Sequence, residues 1–488
     1  MHKNNQSGYY KWFALGAIVI GTFMVALDTS IVNIAIFKMM AVFNASLDDV
    51  KWIVTVYALT LGAVIPLTGF LSEKFGSKKL YIFSLTTFTL GSLLCGFSWS
   101  NATMILFRII QAIGGGMIMP VSISIIFQMF PKENRGMALG FWGIATMAAP
   151  AVGPTLGGYI IENMDWRLIF NVNAPIGVIA VIASIILLEE FPHESTKKLD
   201  YIGFISSIIG IVSILYILGE GSTIDWRNIK NIFFITLGSI SLLLFIINEL
   251  TISEPLLDLR LLKRFDFSLY LLSLCFLAAA YMGGIYVVPL FLQNIKGYTA
   301  MQTGMILFPS AIVTGIMMPI SGKLADKISA KTMMLPALII LVISSHKLAQ
   351  INVNTSTEMI NWLLILRGFG FGLVMMTITH AGMNTVPRNL VPQGSALQNT
   401  FKQIAIAIGI TIMTTTITNK TSLNYYRLSE QARTSMQLTT EFFNSGLIKK
   451  QASADAMDFA LLLCTLFALI ALILILLIKD KKKSIVDE

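Results

Sequence analysis

Two charged residues stand where charge is expensive. Asp28 interrupts the apolar run Leu27-Asp28-Thr29-Ser30-Ile31-Val32, and Arg108 interrupts Leu106-Phe107-Arg108-Ile109-Ile110-Gln111. At membrane depth an ionisable side chain costs at least about 2.5–3.5 kcal/mol on insertion scales, so each needs a partner or a task. Counted inward from the outer ends of their runs, Asp28 lies roughly nine residues deep and Arg108 roughly five; at about 1.5 Å per residue their depths differ by about 6 Å, within an arginine's reach. The chemistry open to such a pair is proton exchange. Burial favours a neutral carboxylic acid, a neighbouring guanidinium favours the carboxylate, and moving the guanidinium switches between the two. The same residues also read as a permanent ion pair that only fixes helix packing.

Other residues are candidates for moving parts rather than for reaction chemistry. Gly153-Pro154-Thr155-Leu156-Gly157-Gly158 combines glycines four apart, which let backbones approach, with a proline that bends a helix. The loop from Gly69 to Lys79 holds Glu73, Gly76 and Lys78 at a membrane face, a set suited to charge contacts that hold one conformer shut and then break. Asn33, Gln111, Tyr286, Gln293 and Gln398 are polar residues that could line a path for cargo. Arg367 and Lys402 are further buried bases, read equally as structural pairs or as pathway lining, and His380 reads as a rim residue. Cys95, Cys275 and Cys464 lie in apolar runs without CxxC spacing and read as small hydrophobes. No GxxxxGK[ST] loop and no metal-spaced histidine cluster occurs, so neither an ATP-driven pump nor a metal or cofactor enzyme is expected.

The elements that hold these residues must span a bilayer. Of 488 residues, 55% are hydrophobic and only 12% charged, with a mean hydropathy of +0.75. Too few charges remain to cover a soluble surface of this size. The net charge of +9 sits in short clusters between apolar runs, not on one aromatic-interleaved face, which excludes nucleic acid. Fourteen spans are expected, at 12–37, 51–71, 80–99, 103–128, 136–160, 169–188, 201–219, 230–250, 268–292, 302–323, 331–350, 359–382, 396–419 and 458–478. The first is too long for a signal peptide and is read as retained. Basic residues favour one set of short loops over the other by more than two to one, which puts both termini in the cytoplasm.

The two ends of the chain repeat each other. Gly69, Arg108 and Gly136 recur as Gly322, Arg367 and Gly394, at offsets of 253, 259 and 258 residues. An all-α polytopic protein follows, with a six-helix bundle over 1–190, two inserted spans over 191–260, and a second bundle over 261–488. The stretch 420–457 is polar and rich in helix formers, and reads as a short external helical hairpin.

The chain resembles the major facilitator superfamily, and within it the fourteen-span drug:proton antiporter branch of the EmrB/QacA type. Asp28 to Ala35 is similar to the branch's first-helix motif, with Phe37 where a proline is usual. Gly69 to Lys79 resembles the superfamily's loop motif, with Glu73 replacing an aspartate, and Leu106, Arg108, Gln111 and Gly114 resemble its fourth-helix motif. Gly153-Pro154-Thr155-Leu156-Gly157-Gly158 is similar to the run associated with antiport. Asp165-Trp166-Arg167, Asn171, Asn173, Pro175 and Gly177 match the branch, as do Pro289 to Gln293 and Gly297-Tyr298. The resemblance implies a major facilitator fold in a cell (inner) membrane, with alternating access and proton influx driving export of drugs or other small amphipathic compounds. An exporter of one metabolite, lipid or siderophore is the alternative on the same fold, and nutrient import a third. Relatives in double-membraned bacteria work with a periplasmic adaptor subunit, which the resemblance extends to this chain as a partner. One departure bears on cargo. Ile53 to Tyr57 carries no acid, nor does span 302–323 before its inner end, and Lys402 is present, which argues against selectivity for dications.

Overall fold

The structure is a computed structural model that describes residues 9–192, 198–221, 224–225, 227–325, 328–352, 354–434 and 446–478. Where lipid replaces water, each backbone N–H and C=O must find its partner inside the segment, so the apolar runs coil into helices. The first half comprises α1 (Tyr10–Phe43), α2 (Leu47–Val64), α3 (Leu67–Phe75), α4 (Ser77–Gly96), α5 (Asn101–Met129), α6 (Lys132–Asn163), α7 (Leu168–Asn171) and α8 (Asn173–Leu187). A pair follows, α9 (Tyr201–Glu220) and α10 (Ile229–Thr251). The second half comprises α11 (Phe265–Leu290), α12 (Ala300–Ala325), α13 (Ala330–Leu348), α14 (Thr357–Asn384), α15 (Val391–Thr434) and α16 (Leu447–Leu477).

Twelve helices among the described residues are long and apolar enough to cross a membrane, and α2 with α3 makes a thirteenth if the pair counts as one span. The pair is bent by 55°. Pro66 stands at the break, where its missing N–H and its ring interrupt the helix. The expected span 136–160 falls within α6, a continuous helix of 32 residues outside that count.

The two halves pack alike. In the first, α1 lies against α6 and α8, α4 against α5 and α8, and α2 against α5. In the second, α11 lies against α15 and α16, α13 against α14 and α16, and α12 against α14. The halves meet along two seams, α6 with α12 and α3 with α15. The α6–α12 seam depends on glycine: a Cβ on Gly322 would run into the backbone of Gly136, and one on Gly140 into the backbone of Pro319. The pair α9–α10 flanks the other seam, with α9 touching both α2 and α15. Trp52 stacks on Tyr216 there, with ring centroids 5.9 Å apart.

The helix α15 is 44 residues long, so at about 1.5 Å per residue it extends about 66 Å, twice a hydrocarbon core. The expected external hairpin at 420–457 thus consists, in its described parts, of direct continuations of α15 and α16, with Lys420 over the Phe459 ring at 4.2 Å. Residues 435–445 lie outside the described residues.

Candidate functional site

The α1 and α5 helices bring Asp28 and Arg108 into contact. Arg108 Nη1 donates to Asp28 Oδ2 at 2.7 Å, and the side chains are 1% and 0% exposed respectively. Gln111 follows Arg108 by three residues and therefore shares its helix face. It closes a ring: Arg108 Nη1 donates to Gln111 Oε1 at 2.7 Å, and Gln111 Nε2 donates to Asp28 Oδ1 at 2.8 Å. Asn173, first residue of α8, donates to the same Oδ1 at 3.1 Å and to Ser92 Oγ at 3.0 Å. On the far side of the guanidinium, Nε donates to the Ile53 carbonyl at 3.4 Å, and the Tyr57 ring centroid lies 3.8 Å from Cζ. Donors from α5 and α8 thus converge on the α1 carboxylate, and α2 and α4 hold those donors in place.

The structure assigns Gln111 to this ring, fully buried, rather than to an open path. Asn173, Ser92 and Tyr57 were not singled out as its partners from the sequence. Each is one polar side chain in an apolar run, and only helix packing tells it from the many serines, threonines and asparagines that bond their own helix.

The loop residues form a latch between the halves. Gln393 Nε2 on α15 donates to Glu73 Oε2 at 2.9 Å, and the Gln393 side-chain oxygen accepts from the Asp258 backbone at 3.2 Å. Gly69 lies where a Cβ would come 3.1 Å from Gln393 Cα, so the helices cross closely. Gly76 has φ +89°, and a Cβ there would meet the Glu190 carboxylate. Lys78 stays within its own bundle, Nζ donating to the Ile185 carbonyl at 2.9 Å. At the same end Ser395 Oγ donates to the Pro120 carbonyl at 2.6 Å, and Arg135 Nη1 donates to Asn384 at 3.5 Å. The molecule is closed at the end that carries the α3–α4 turn.

In the α6 run, Gly153 packs on Ser30 of α1 and Gly157 is buried, whereas a Cβ added at Gly158 would point into open space. The side chains of Pro154 and Asn33 lie outside the described residues. Tyr286 is 40% exposed on α11, and Gln293 is exposed in the π-helical turn that follows. Gln398 is 2% exposed, and neither polar atom of its amide has a partner among the described residues. Between the bundles, α6, α11, α12 and α14 enclose a cavity of about 150 Å³.

Comparison with known proteins agrees with this geometry. The sequence matches the family model described as Major Facilitator Superfamily over residues 18–410. It is 34% identical to the uncharacterized MFS-type transporter YhcA of Bacillus subtilis (strain 168), covering 96% of this chain and 92% of that protein. It is 30% identical to the multidrug export protein EmrB of Escherichia coli (strain K12), covering 90% and 87%. The fold superposes on the proton:xylose symporter XylE with a TM-score of 0.64 at 13% identity, covering 98% of each chain.

Proposed function

This chain belongs to the Major Facilitator Superfamily, a family of multi-pass membrane transporters, and from that premise we propose that it exports drugs or other small amphipathic compounds in exchange for protons. The observation that carries the reading is the sealed carboxylate–guanidinium pair inside one bundle of a two-bundle molecule closed at one end. Its 30% identity to a multidrug export protein over most of both chains supports the direction of transport.

The residues suggest how a proton would be carried. When Asp28 takes up a proton, Arg108 loses its counter-charge but keeps the Gln111 side-chain oxygen, the Ile53 carbonyl and the Tyr57 face as partners. The guanidinium can then swing away without being stranded, which frees the carboxyl group to exchange with the opposite side once the bundles rock. In this reading the Glu73–Gln393 latch is the contact that must break for the basic end to open. Gly153 in the glycine-rich run of α6 gives that helix its close fit on α1.

Several finer features belong to the same proposal. The helix α6 is the fourteenth span, both termini are cytoplasmic in a cell (inner) membrane, and the bundles comprise 1–190 and 261–488 around an inserted pair. The long continuations of α15 and α16 offer a docking point for an adaptor at the outer face. The test is substrate-induced pH change in proteoliposomes across a compound panel. Wild type should respond to several unrelated amphiphiles, and Asp28→Asn should abolish the proton movement; an unchanged response in that variant would remove the carrier role.

A further inference from the structure

The second bundle holds an arginine in a different predicament. Arg367 on α14 is 4% exposed, and its depth is that of the membrane middle, ten residues into a helix of 28. Nη2 donates to the Ala280 and Tyr281 carbonyls at 2.9 and 3.3 Å, and the Tyr281 ring centroid lies 5.2 Å from Cζ. Nε is buried with no partner, and no carboxylate lies within salt-bridge distance, among the described residues. Arginine does not give up its proton in proteins, so the charge is permanent. Burying it without a counter-ion is costly enough to need a reason.

The guanidinium is not walled in. It lines the 150 Å³ cavity between the bundles, together with Met147 of α6, Tyr281 and Ile285 of α11, and Leu307 and Ser310 of α12. That space is far below the roughly 300–1,000 Å³ of a site that swallows a whole drug-sized ligand, but several times the about 30 Å³ of one water. It fits a head group. Gly284 makes the arrangement possible, since a Cβ there would collide with the guanidinium. A second cation, Lys402, stands in the same bundle at similar depth, eleven residues into α15. Its titratable neighbour is the Cys275 thiol, and part of its surface is open. Basic residues at the membrane's inner rim are explained by topology. These two are not at the rim.

Resting on the exporter reading above, we propose that the cargo is an amphiphile with a negatively charged head, a carboxylate, sulfonate or phosphate ester, and that Arg367 receives that head. A planar guanidinium with open N–H donors matches such oxyanions in geometry. The Ser310 hydroxyl, on the same cavity wall, offers one further donor.

The test uses the full-length protein in nanodiscs and in proteoliposomes, with three probes that share one aromatic body: pyrene-1-sulfonate, 1-pyrenemethanol and a pyrenylmethyl trimethylammonium salt. Wild type should bind the sulfonate at least tenfold more tightly than the trimethylammonium probe. Arg367→Gln should lower the ratio of sulfonate to methanol affinity at least tenfold, and Arg367→Lys should recover part of it. If Arg367→Gln does not fold, Ser310→Asp, which puts a negative charge into the same cavity, should lower the ratio of sulfonate to methanol affinity at least tenfold. In proteoliposomes an inside-negative potential should speed sulfonate efflux at fixed pH gradient, because anion exit and proton influx move charge the same way. Equal loss of sulfonate and methanol binding in the variants, or a preference for the cationic probe, overturns the proposal. Proton-coupled flux of pyrenemethanol without head-group discrimination would sink the anion site and leave the exporter standing. Discrimination in binding without any coupled flux would do the reverse.

Discussion

Arg108 and Arg367 occupy matching places in two repeats of one design, yet they are completed differently. Both lie on the fourth helix of their bundle, and both face a tyrosine ring, Tyr57 at 3.8 Å and Tyr281 at 5.2 Å. The first is neutralised by Asp28 and tied into a ring with Gln111. The second has two backbone carbonyls and, on the opposing helix, Gly284 in place of any acid. The two copies share the cation, and each sets an aromatic ring over it from a different helix, α2 in one and α11 in the other; only the first has a counter-charge within salt-bridge distance among the described residues. One site is closed on itself; the other is completed from outside the chain.

The largest effect expected from breaking this comparison is on stability. Arg108→Ala leaves the Asp28 carboxylate buried and unpaired, which should cost about 3–5 kcal/mol. Arg367→Ala removes a charge that has no counter-ion and should cost clearly less, about 1–3 kcal/mol from lost packing and hydrogen bonds. Thermal unfolding of the two variants in one detergent checks the order, and equal losses would dissolve the distinction. Next comes Asn173→Ala, which removes a donor to Asp28 that has no counterpart at Arg367. Hydrogen bonds to charged groups are worth about 1.5–3 kcal/mol, so its unfolding midpoint should fall between that of wild type and Arg108→Ala. The smallest and sharpest is Ser310→Asp, which puts an acid into the cavity that Arg367 lines. A tenfold fall in sulfonate affinity, about 1.4 kcal/mol, is expected by fluorescence titration, and no change would show that Arg367 is not the receptor.

How much of this could be read in advance depended on how rare the signal was. Asp28 and Arg108 were legible because each is a lone ionisable group in a long apolar run, and helix rise alone put them at reachable depths. The repeat was legible because Gly69, Arg108 and Gly136 recur at nearly one offset. Asn173 and Ser92 were not, since an asparagine or serine in a span usually bonds its own backbone, as Ser84 does to Leu80. Gln111 was expected along a cargo path, and its spacing of three from Arg108 carried the clue to its place in the ring. The break at Pro66 also had its signal in the sequence, yet apolarity on both sides made 51–71 look like one straight span. The length of α15 was hidden by the opposite effect: apolarity ends near 419 while helix propensity continues, and only the former marks a membrane boundary.

The position of α9 makes the two flanks of the molecule unlike. Because this helix leans on α2 and on α15 at once, with Thr411 Oγ1 donating to the Leu218 carbonyl at 2.8 Å, it bars one flank of the molecule like a rail across a doorway. The opposite flank, between α6 and α12, has no such rail among the described residues; there backbone lies directly on backbone at Gly136 and Gly322 and at Gly140 and Pro319. One side of the molecule is thus barred by a third helix, and the other is shut only by the fit of two.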